Sequence, residues 1–390
     1  MKLAARWDIF CRVIDNYGDI GVCWRLAVDL GQRGHRVRLW VDDAQALTWM
    51  APQVQWREVP EQGMAIGSGQ PGVEVRHWRD AQRTLADLPQ LDAGDVVIEA
   101  FGCDPPEAFV ERMQARAARG QPAQWVNLEY LSAEDYVERS HGLRSPIWSG
   151  VGTGLSKRFF YPGFTPATGG LLREPGLIAL RQGQAKPQAQ RVARLATWGV
   201  HIKPGDPVVL VFCYDTAPVD ALLDRLSAAQ RPVHVLLTPG HATRLGQAWQ
   251  ARQSNSPVTL QTLPALPQAD FDQLLWCCDL NLVRGEDSAV RALWAGRPHI
   301  WQIYEQDDGV HAHKLDAFMH RWMAAWPPGL RHDVSAWWRA WNRQGPMPEA
   351  LPDWTDQQSP WCQASLASRA ELLKQADLAT QLTQFVASSG

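Results

Sequence analysis

The sequence predicts an α/β protein of two domains, each built on a mainly parallel sheet. Short apolar runs alternate with helix-length segments along the whole chain. Most of these runs are continuously apolar, which is typical of parallel strands covered by helices on both faces. At 390 residues the chain also exceeds the length at which a single core usually stops growing. Two α/β domains are therefore expected.

Apolar runs in both halves are expected to form the strands. They are WDIFCRV (7–13), RVRLWV (36–41), DVVIEA (95–100) and AQWVNL (123–128) in the first half, and PVVLVFC (207–213), PVHVLLT (232–238), PVTLQTL (257–263), DLNLV (279–283) and PHIWQI (298–303) in the second. Helix-length segments separate them, as in βαβ units. The Gly-rich segment EQGMAIGSGQPG (61–72) is expected to be a flexible surface loop.

A stretch rich in Gln, Ala and Arg, residues 179–200, contains Pro187 and is expected to connect the domains rather than to join a core. The predicted boundary gives a first domain at 1–185 and a second at 186–364. Residues 365–390 are expected to form one long helix that packs across both domains. The apolar residues that share one face of this helix are Leu366, Leu373, Leu382 and Val386.

Composition and charge exclude several classes of function. A net charge of −3 gives no drive toward nucleic acid or anionic membranes, and no apolar run approaches the roughly 18 residues that a membrane span needs. The first residues lack a long apolar segment with a cleavage site, so a cytoplasmic protein without nucleic-acid or membrane partners is expected. Seven scattered cysteines without a CxxC pair indicate buried free thiols, and the 20 tryptophans are expected to fill cores.

The stretch RVIDNYGDIGVCWRLAVDL (12–30) places Asp15 and Asp19 in a turn where a strand precedes a helix. This spacing allows both carboxylates to enter one active site, one as a base and the other orienting a substrate. Aspartates in such turns also serve as caps and turn formers, so a purely structural role stays open for each. Gly18 and Gly21 do not complete GxGxxG, which disfavours dinucleotide binding.

A second turn between a strand and a helix lies in NLVRGEDSAVRALWAGRPHIWQIY (281–304). Free N–H groups at the helix start form an anion site, Gly285 allows a phosphate to approach closely, and Arg284 adds positive charge. The alternative is that Asp287 and Ser288 only cap the helix, which requires no ligand. Both interpretations use the same groups, so both stay open.

Polar and aromatic residues follow other strands of the second half. They are Phe212, Tyr214, Gln268 and Phe271. Because ligands of open α/β sheets bind beyond the carboxyl ends of strands, these side chains are candidates to hold a base. Core aromatics and a surface amide are the alternative. His311 and His313 are two residues apart and point apart on a helix, so no metal is implied.

Long motifs resemble one known family, the elongation factor P arginine rhamnosyltransferases. The segments that carry the resemblance are DIFCRVIDNYGDIGVCWRLA, NLEYLSAEDY, SHGLRSP, FFYPGFTPATGGLLRE and LPQADFDQLLWCCDLNLVRGEDSAVRALWAGRPHIWQIYEQDDGVHAHKLDAF. They occur in chain order from nearly one end to the other. The combination of DNYGDIG and VRGEDS makes the resemblance specific.

The resemblance implies a GT-B glycosyltransferase with two Rossmann-like domains facing a central cleft. Its first domain would bind translation elongation factor P and its second dTDP-β-L-rhamnose. The implied reaction moves L-rhamnose with inversion to an arginine guanidinium nitrogen of elongation factor P, without metal or cofactor.

Family positions then imply roles for individual residues. Asp15, Asp19 and Glu286 match catalytic positions, and Asn16, Tyr17 and Gly18 lie on the acceptor side. Donor-site positions are Phe212, Tyr214, Gln268, Phe271, Arg284, Gly285, Asp287 and Ser288. The chain departs from the family at Ala265, where an aromatic that helps to hold the thymine is common, and Leu266 is the nearest substitute.

An arginine acceptor requires carboxylates, because a protonated guanidinium with a pKa above ~12 is a poor nucleophile. Asp19 is expected to accept the proton and Asp15 to clamp the guanidinium, although the two roles can be exchanged. Glu286 cannot neutralise phosphate and is expected to position the sugar or the acceptor arginine. Three alternatives are a nucleotide-sugar transferase with another acceptor, an inactive translation-factor binding protein, and a dehydrogenase, which the missing GxGxxG disfavours.

Overall fold

A computed structural model describes residues 5–13, 17–59, 64–84, 86, 91–184, 188–253, 255–305 and 309–388. The chain divides into two compact units. The first comprises residues 1–175 and 375–390, and the second comprises residues 176–374. Each unit contains one sheet with its own core.

The elements up to residue 175 are β1 (Arg6–Cys11), α1 (Gly18–Gln32), β2 (Arg36–Val41), α2 (Leu47–Met50), β3 (Gln55–Val59), β4 (Met64–Gln70), β5 (Val73–His77), α3 (Trp78–Ala81), β6 (Val96–Ala100), α4 (Glu107–Ala118), β7 (Gln124–Leu128), α5 (Tyr136–Ser140), β8 (Arg144–Pro146) and β9 (Ser156–Phe160). Those beyond it are α6 (Leu177–Gln184), α7 (Gln188–Ala196), β10 (Val208–Val211), α8 (Val219–Ala228), β11 (Val233–Leu237), α9 (His241–Gln250), β12 (Val258–Thr262), α10 (Gln268–Cys277), β13 (Leu280–Arg284), α11 (Glu286–Ala295), β14 (His299–Gln302), α12 (Val310–Trp322), α13 (Pro328–Trp341), α14 (Pro360–Leu372) and α15 (Leu378–Ala387).

Within the described residues, the sheet of the first unit has the order β3-β4-β5-β2-β1-β6-β7-β9-β8. Its six strands from β5 to β9 in this order are parallel, and antiparallel pairs occur only toward the edges. Trp7 and Ile9 point into a core shared with α1 and α15, whereas Phe10 points into the opposite core with Phe109 and Met113 of α4. Both faces are covered, which explains why the central strands are continuously apolar.

The sheet of the second unit has the order β12-β11-β10-β13-β14, and all its pairs are parallel. β10, β13 and β14 are buried along their whole length. Because these strands are parallel, their carboxyl ends meet at one edge of the sheet, which is where an open α/β fold binds its ligand.

All the runs predicted as strands contain strands. The structure has five further strands that the sequence pattern does not predict: β3, β4, β5, β8 and β9. The loop predicted at 61–72 is wrong for residues 64–70, which form β4, while 61–63 lie outside the described residues. Glycine is required here because a Cβ at Gly69, where φ is +134°, would lie 1.9 Å from the carbonyl oxygen of Gln53. Glycines that allow this close approach resemble the glycines of a loop in sequence.

The predicted connection at 179–200 is also different. It contains α6 and α7, and Arg181, Arg191 and Leu195 are buried within the second unit. The predicted boundary at 185/186 falls on residues outside the described part of the chain, whereas the two units divide after Pro175. Buried arginines mislead a prediction from composition, because the groups that they contact lie in distant parts of the chain.

The single helix predicted within 365–390 is two helices. α14 belongs to the second unit and α15 to the first. Asp377 divides them because its side chain accepts a hydrogen bond from the backbone N–H of Thr380 at 2.8 Å and so begins a new helix. Leu378 and Leu382 of α15 are buried in the core of the first unit.

Tryptophans and cysteines are placed largely as expected. Most tryptophans are buried, with Trp337, Trp338 and Trp341 of α13 fully so, although Trp148 is 83% exposed. All seven cysteines are free, and all are buried except the half-buried Cys277. Within the described residues, no helix is both long and apolar enough to cross a membrane.

Candidate functional site

The candidate site of the second unit lies at the turn from β13 to α11. β13 ends at Arg284, Gly285 has φ +69° and ψ 167°, and α11 begins at Glu286. These dihedral angles belong to a region that only glycine occupies readily. The indole N–H of Trp301 donates to the Gly285 carbonyl oxygen at 3.1 Å, which holds this peptide from the neighbouring strand β14.

A glycine occupies the capping position of α11. Gly285 precedes the helix and has no side chain that could cap it. Asp287 and Ser288 stand in the first turn of α11, after the capping position. These two residues therefore do not hold the capping position, and the start of α11 carries the positive end of the helix dipole, which favours an anion.

Arg284 is the central cation of this turn. The residue is 7% exposed, and its guanidinium carbon lies 4.8 Å from the ring centroid of Phe212 and 4.5 Å from that of Tyr214. Its Nη1 is buried and has no hydrogen-bond partner among the described residues. Buried guanidinium groups are normally paired with carboxylates. A cation held by two aromatic rings with an unused donor is instead suited to an incoming anion.

Further aromatic contacts extend from these two rings. Phe212 meets Phe271 of α10 edge to face, with ring centroids 5.7 Å apart. Tyr214 meets Tyr304 in the same manner at 5.6 Å. The structure thus brings together Phe212, Tyr214, Phe271 and Arg284, four of the residues predicted to hold the donor.

Polar contacts between α10 and α11 complete the site. The side-chain amide of Gln268 donates to Oδ2 of Asp287 at 3.0 Å, which joins the first turns of the two helices. Deeper between them, the buried Arg291 donates to both oxygens of Asp272 at 2.9 and 2.6 Å. This bidentate pair fixes the orientation of the two helices on which the site depends.

Gln302 and Trp301 are functional candidates that the sequence reading missed. Oε1 of the buried Gln302 accepts a hydrogen bond from the backbone N–H of Tyr214 at 2.7 Å, and its amide donates to Thr216 at 3.2 Å. These contacts fix the loop after β10 that carries Tyr214. A glutamine at the end of the apolar strand HIWQ was the available signal.

Cys213 lies between the two aromatic residues but is not an activated nucleophile. Burial raises the pKa of its thiol to about 12, against the opposing fields of Arg284 and Arg244. The thiol is therefore neutral near pH 7. At the departure from the family pattern, Ala265 is exposed and Leu266 is buried.

In the first unit, Asp19 stands in the first turn of α1 and is 3% exposed. The prediction that Asp19 lies in the turn before the helix is therefore wrong, because α1 already begins at Gly18. Tyr17 precedes the helix and meets Trp49 edge to face at 5.1 Å, and Gly18 is the first helical residue. Asp15 and Asn16 lie outside the described residues.

Asp19 faces a small group of buried thiols. The pKa of Cys11 is raised by a side-chain hydrogen bond with Cys23, by burial and by the charge of Asp19. Burial is the largest cause of the raised pKa of Cys23, to which Asp19 also contributes. The carboxylate of Asp19 therefore lies near neutral thiols, at the positive end of the α1 dipole.

Candidate metal ligands do not cluster in the part of the chain that is described. No three His, Cys, Asp or Glu side chains lie together there in a way that could hold a metal ion. His311 and His313 both belong to α12 and join no such group.

Comparison with known proteins gives consistent matches along the chain. The family model for "Elongation-Factor P (EF-P) rhamnosyltransferase EarP" matches residues 7–387. A protein-arginine rhamnosyltransferase of Pseudomonas putida is 43% identical over 99% of this chain and 100% of its own length. Another from Pseudomonas aeruginosa is 40% identical over 98% of this chain and 99% of its own.

A solved structure agrees with these matches. It concerns EarP-mediated arginine glycosylation of translation elongation factor EF-P, and it aligns with a TM-score of 0.66 and 31% sequence identity. The alignment covers 99% of this chain and 100% of that chain. The two parallel-rich sheets are accordingly the two Rossmann-like domains of a GT-B glycosyltransferase fold, as the sequence predicted.

Proposed function

Because the chain belongs to the family of elongation factor P rhamnosyltransferases, we propose that it moves L-rhamnose from dTDP-β-L-rhamnose to an arginine of elongation factor P. The transfer would invert the anomeric carbon and would use no metal or cofactor. The observation that carries the proposal is the buried Arg284 guanidinium, which has an unused donor at the start of α11. The second unit would bind the donor and the first unit the protein acceptor.

The leaving diphosphate is the group that Arg284 would stabilise. Gly285 has no side chain to obstruct a phosphate, and the first N–H groups of α11, including that of Ser288, provide further donors. As the bond from the sugar to the diphosphate breaks, negative charge accumulates on the phosphate oxygens. A guanidinium and a helix dipole fixed in advance stabilise that charge without a metal ion.

The thymidine part of the donor would lie against Phe212, Tyr214 and Phe271. These rings are already ordered by edge-to-face contacts and by the hydrogen bond from Tyr214 to Gln302. Gln268, held by Asp287, presents the amide that would contact the nucleoside. With Ala265 in place of an aromatic, stacking on that side of the base would be weaker.

The acceptor arginine would be activated by carboxylates. In the transfer, a guanidinium nitrogen forms the bond to C1 of rhamnose while the bond from C1 to the diphosphate oxygen breaks. The proton that this nitrogen loses would pass to Asp19, and the electron pair of the broken bond would leave with dTDP. Asp15 would hydrogen-bond the guanidinium and reduce its delocalisation, although the two aspartates can exchange these roles.

Glu286 would position the sugar or the acceptor arginine. It is half-buried at the first position of α11, next to the proposed diphosphate site. A carboxylate beside a diphosphate is repulsive, so its contribution must come from contacts with hydroxyl groups or with the acceptor guanidinium. Because the acceptor is a translation factor, the reaction would occur in the cytoplasm.

The proposal is tested by the mass of purified elongation factor P after incubation with the protein and dTDP-β-L-rhamnose. A gain of one deoxyhexose is expected with the natural protein and with Asp43→Asn, which changes an exposed carboxylate of the same unit. The gain should be lost with Asp19→Asn. If the natural protein binds dTDP but does not modify elongation factor P, the acceptor assignment is wrong.

A further inference from the structure

A cavity of about 830 Å³ lies in the second unit at the C-terminal end of α11. Its walls come from α6, α7, α10, α14 and the residues that follow α11. This volume is in the range of sites that bind small molecules. The proposed diphosphate site is at the other end of α11, and a helix of 10 residues spans about 15 Å. The phosphates of one bound donor therefore cannot occupy both sites.

The cavity is lined by positive charge. Four arginines contribute to it, and no acidic side chain does among the described residues. Arg191 is paired with Asp279 at 2.5 Å and Arg194 with Asp270 at 3.0 Å. The other two arginines are Arg181 and Arg297. Neither makes an ion pair with the described part of the chain.

The end of α11 accounts for only part of this charge. Nε of Arg181 donates to the Ala295 carbonyl oxygen at 2.7 Å, and Nη1 of Arg369 approaches the same oxygen at 3.4 Å. A helix C-terminus carries about half a negative charge, so two guanidinium groups already exceed it. Arg297 is additional, and its buried Nε has no hydrogen-bond partner among the described residues.

The arginines therefore repel one another in the protein without a ligand. Burial and the charges of Arg369 and Arg297 lower the pKa of Arg181 to about 9. An arrangement of this kind is costly unless an anion neutralises it. Its position at the wall of a cavity favours a ligand over a role in packing.

We propose that this cavity binds a small molecule that carries a phosphate or diphosphate group, with Arg181 and Arg297 as its cationic contacts. The guanidinium fork suits paired phosphate oxygens. The amides of Gln273, Gln358 and Gln363 line the remaining space and supply hydrogen bonds for hydroxyl or amide groups of the same ligand. The site is distinct from the donor site and has its own basic residues.

Inorganic pyrophosphate is the probe that tests this site, measured by isothermal titration calorimetry at fixed ionic strength. The titration uses Arg284→Gln, so that binding at the turn before α11 does not contribute. Pyrophosphate should still bind to Arg284→Gln. The double variant Arg284→Gln with Arg297→Gln should bind about tenfold more weakly or worse, because a charge-assisted contact is lost.

A matched control replaces Arg297→Gln by Arg252→Gln, which removes the same charge from an exposed position of the same unit. Its affinity should equal that of Arg284→Gln alone. Gln273→Glu provides a second test, because it keeps every arginine and adds a negative charge to the cavity, and it should also weaken binding. The proposal is overturned if Arg284→Gln does not bind pyrophosphate, or if Gln273→Glu and Arg297→Gln both leave the affinity unchanged. Neither outcome depends on whether the chain transfers rhamnose.

Discussion

The guanidinium carbon of Arg284 lies 4.5 Å from the ring centroid of Tyr214, and no carboxylate among the described residues is paired with this buried cation. A purely structural arginine would have its donors satisfied. The free protein instead maintains a buried charge that a ligand would neutralise. Function and stability should therefore respond in opposite directions when this residue is changed.

Arg284→Met should raise the stability of the ligand-free protein while weakening its binding of dTDP. The substitution removes an unpaired buried charge and keeps an unbranched apolar side chain between the two rings. Affinity for dTDP should fall by about tenfold to a hundredfold, as expected for a lost charge-assisted hydrogen bond. Melting temperatures with and without dTDP measure both effects. A variant that is less stable but binds dTDP normally would show that Arg284 is structural.

Gly285→Ala should lose dTDP binding with a moderate loss of stability. A side chain at φ +69° and ψ 167° costs about 1–3 kcal/mol, and relief of this strain would move the backbone that the proposed phosphate contacts. Gly329→Ala in α13 is the matched control, because its φ is not in the left-handed region and a Cβ there would meet no atom within 4 Å. Calorimetric titration with dTDP distinguishes the two. Equal affinity in both variants would contradict a phosphate site at Gly285.

How far the site was predictable follows from sheet geometry. Phe212 directly follows β10, and Arg284 is the last residue of β13. Because these two strands pair in parallel, their carboxyl ends lie side by side, and the order of residues in the sequence is enough to predict that the two side chains are close. The contact from Trp301 to Gly285 was not predictable, because it depends on the register of β14 and on the direction of one indole N–H. The role of Gln302 depends on the same register.

Two wrong predictions about the fold have the same physical origin. The sequence around Gly69 predicts a loop, although its missing Cβ allows the backbone of Gln53 to approach in a strand. The sequence around Arg191 predicts a linker, although this residue is buried against Asp279 and the carbonyl oxygen of Cys277. In both cases a distant part of the chain supplies the partner, and local pattern carries no information about that partner.

Asp19→Asn should abolish transfer without changing the affinity for dTDP. An amide cannot take up the proton that the acceptor arginine loses. Loss of a general base typically reduces kcat by about 10²–10⁴-fold. Asp19 belongs to the first unit, whereas every residue assigned to dTDP belongs to the second. Single-turnover kinetics and dTDP titration separate the two quantities. A parallel loss of dTDP affinity would show that Asp19 acts on the donor.

Leu382→Ala should destabilise the first unit although it lies near the end of the chain. Leu382 is fully buried with Leu378 in the core that contains Ile9 of β1. Removing such a side chain costs about 2–5 kcal/mol. Leu180→Ala is the control, since that leucine is 51% exposed. Urea unfolding should show a lower midpoint for Leu382→Ala only, and an unchanged midpoint would mean that α15 contributes little to the core.

His299 should make the second unit sensitive to mild acid. Burial lowers the pKa of its imidazole to about 4 from an ordinary value of 6.5, and its ring lies 5.3 Å from Trp322 and 5.5 Å from Trp338. Between about pH 4 and pH 6.5, the imidazole of His299 is protonated in the unfolded chain and neutral in the folded chain. Stability therefore rises with pH across this window and is lost as the pH falls from 6.5 toward 4.

His299→Phe should remove this dependence, because phenylalanine keeps an aromatic ring beside the two indoles and does not titrate. The contribution of His299 amounts to ~3 kcal/mol across the window, since each unit of pKa corresponds to about 1.4 kcal/mol. The measurement is the free energy of unfolding by urea at several pH values. His332→Phe changes an exposed histidine of α13 and should retain the slope of the natural protein. If His299→Phe retains that slope as well, other groups cause the acid sensitivity and the buried imidazole does not.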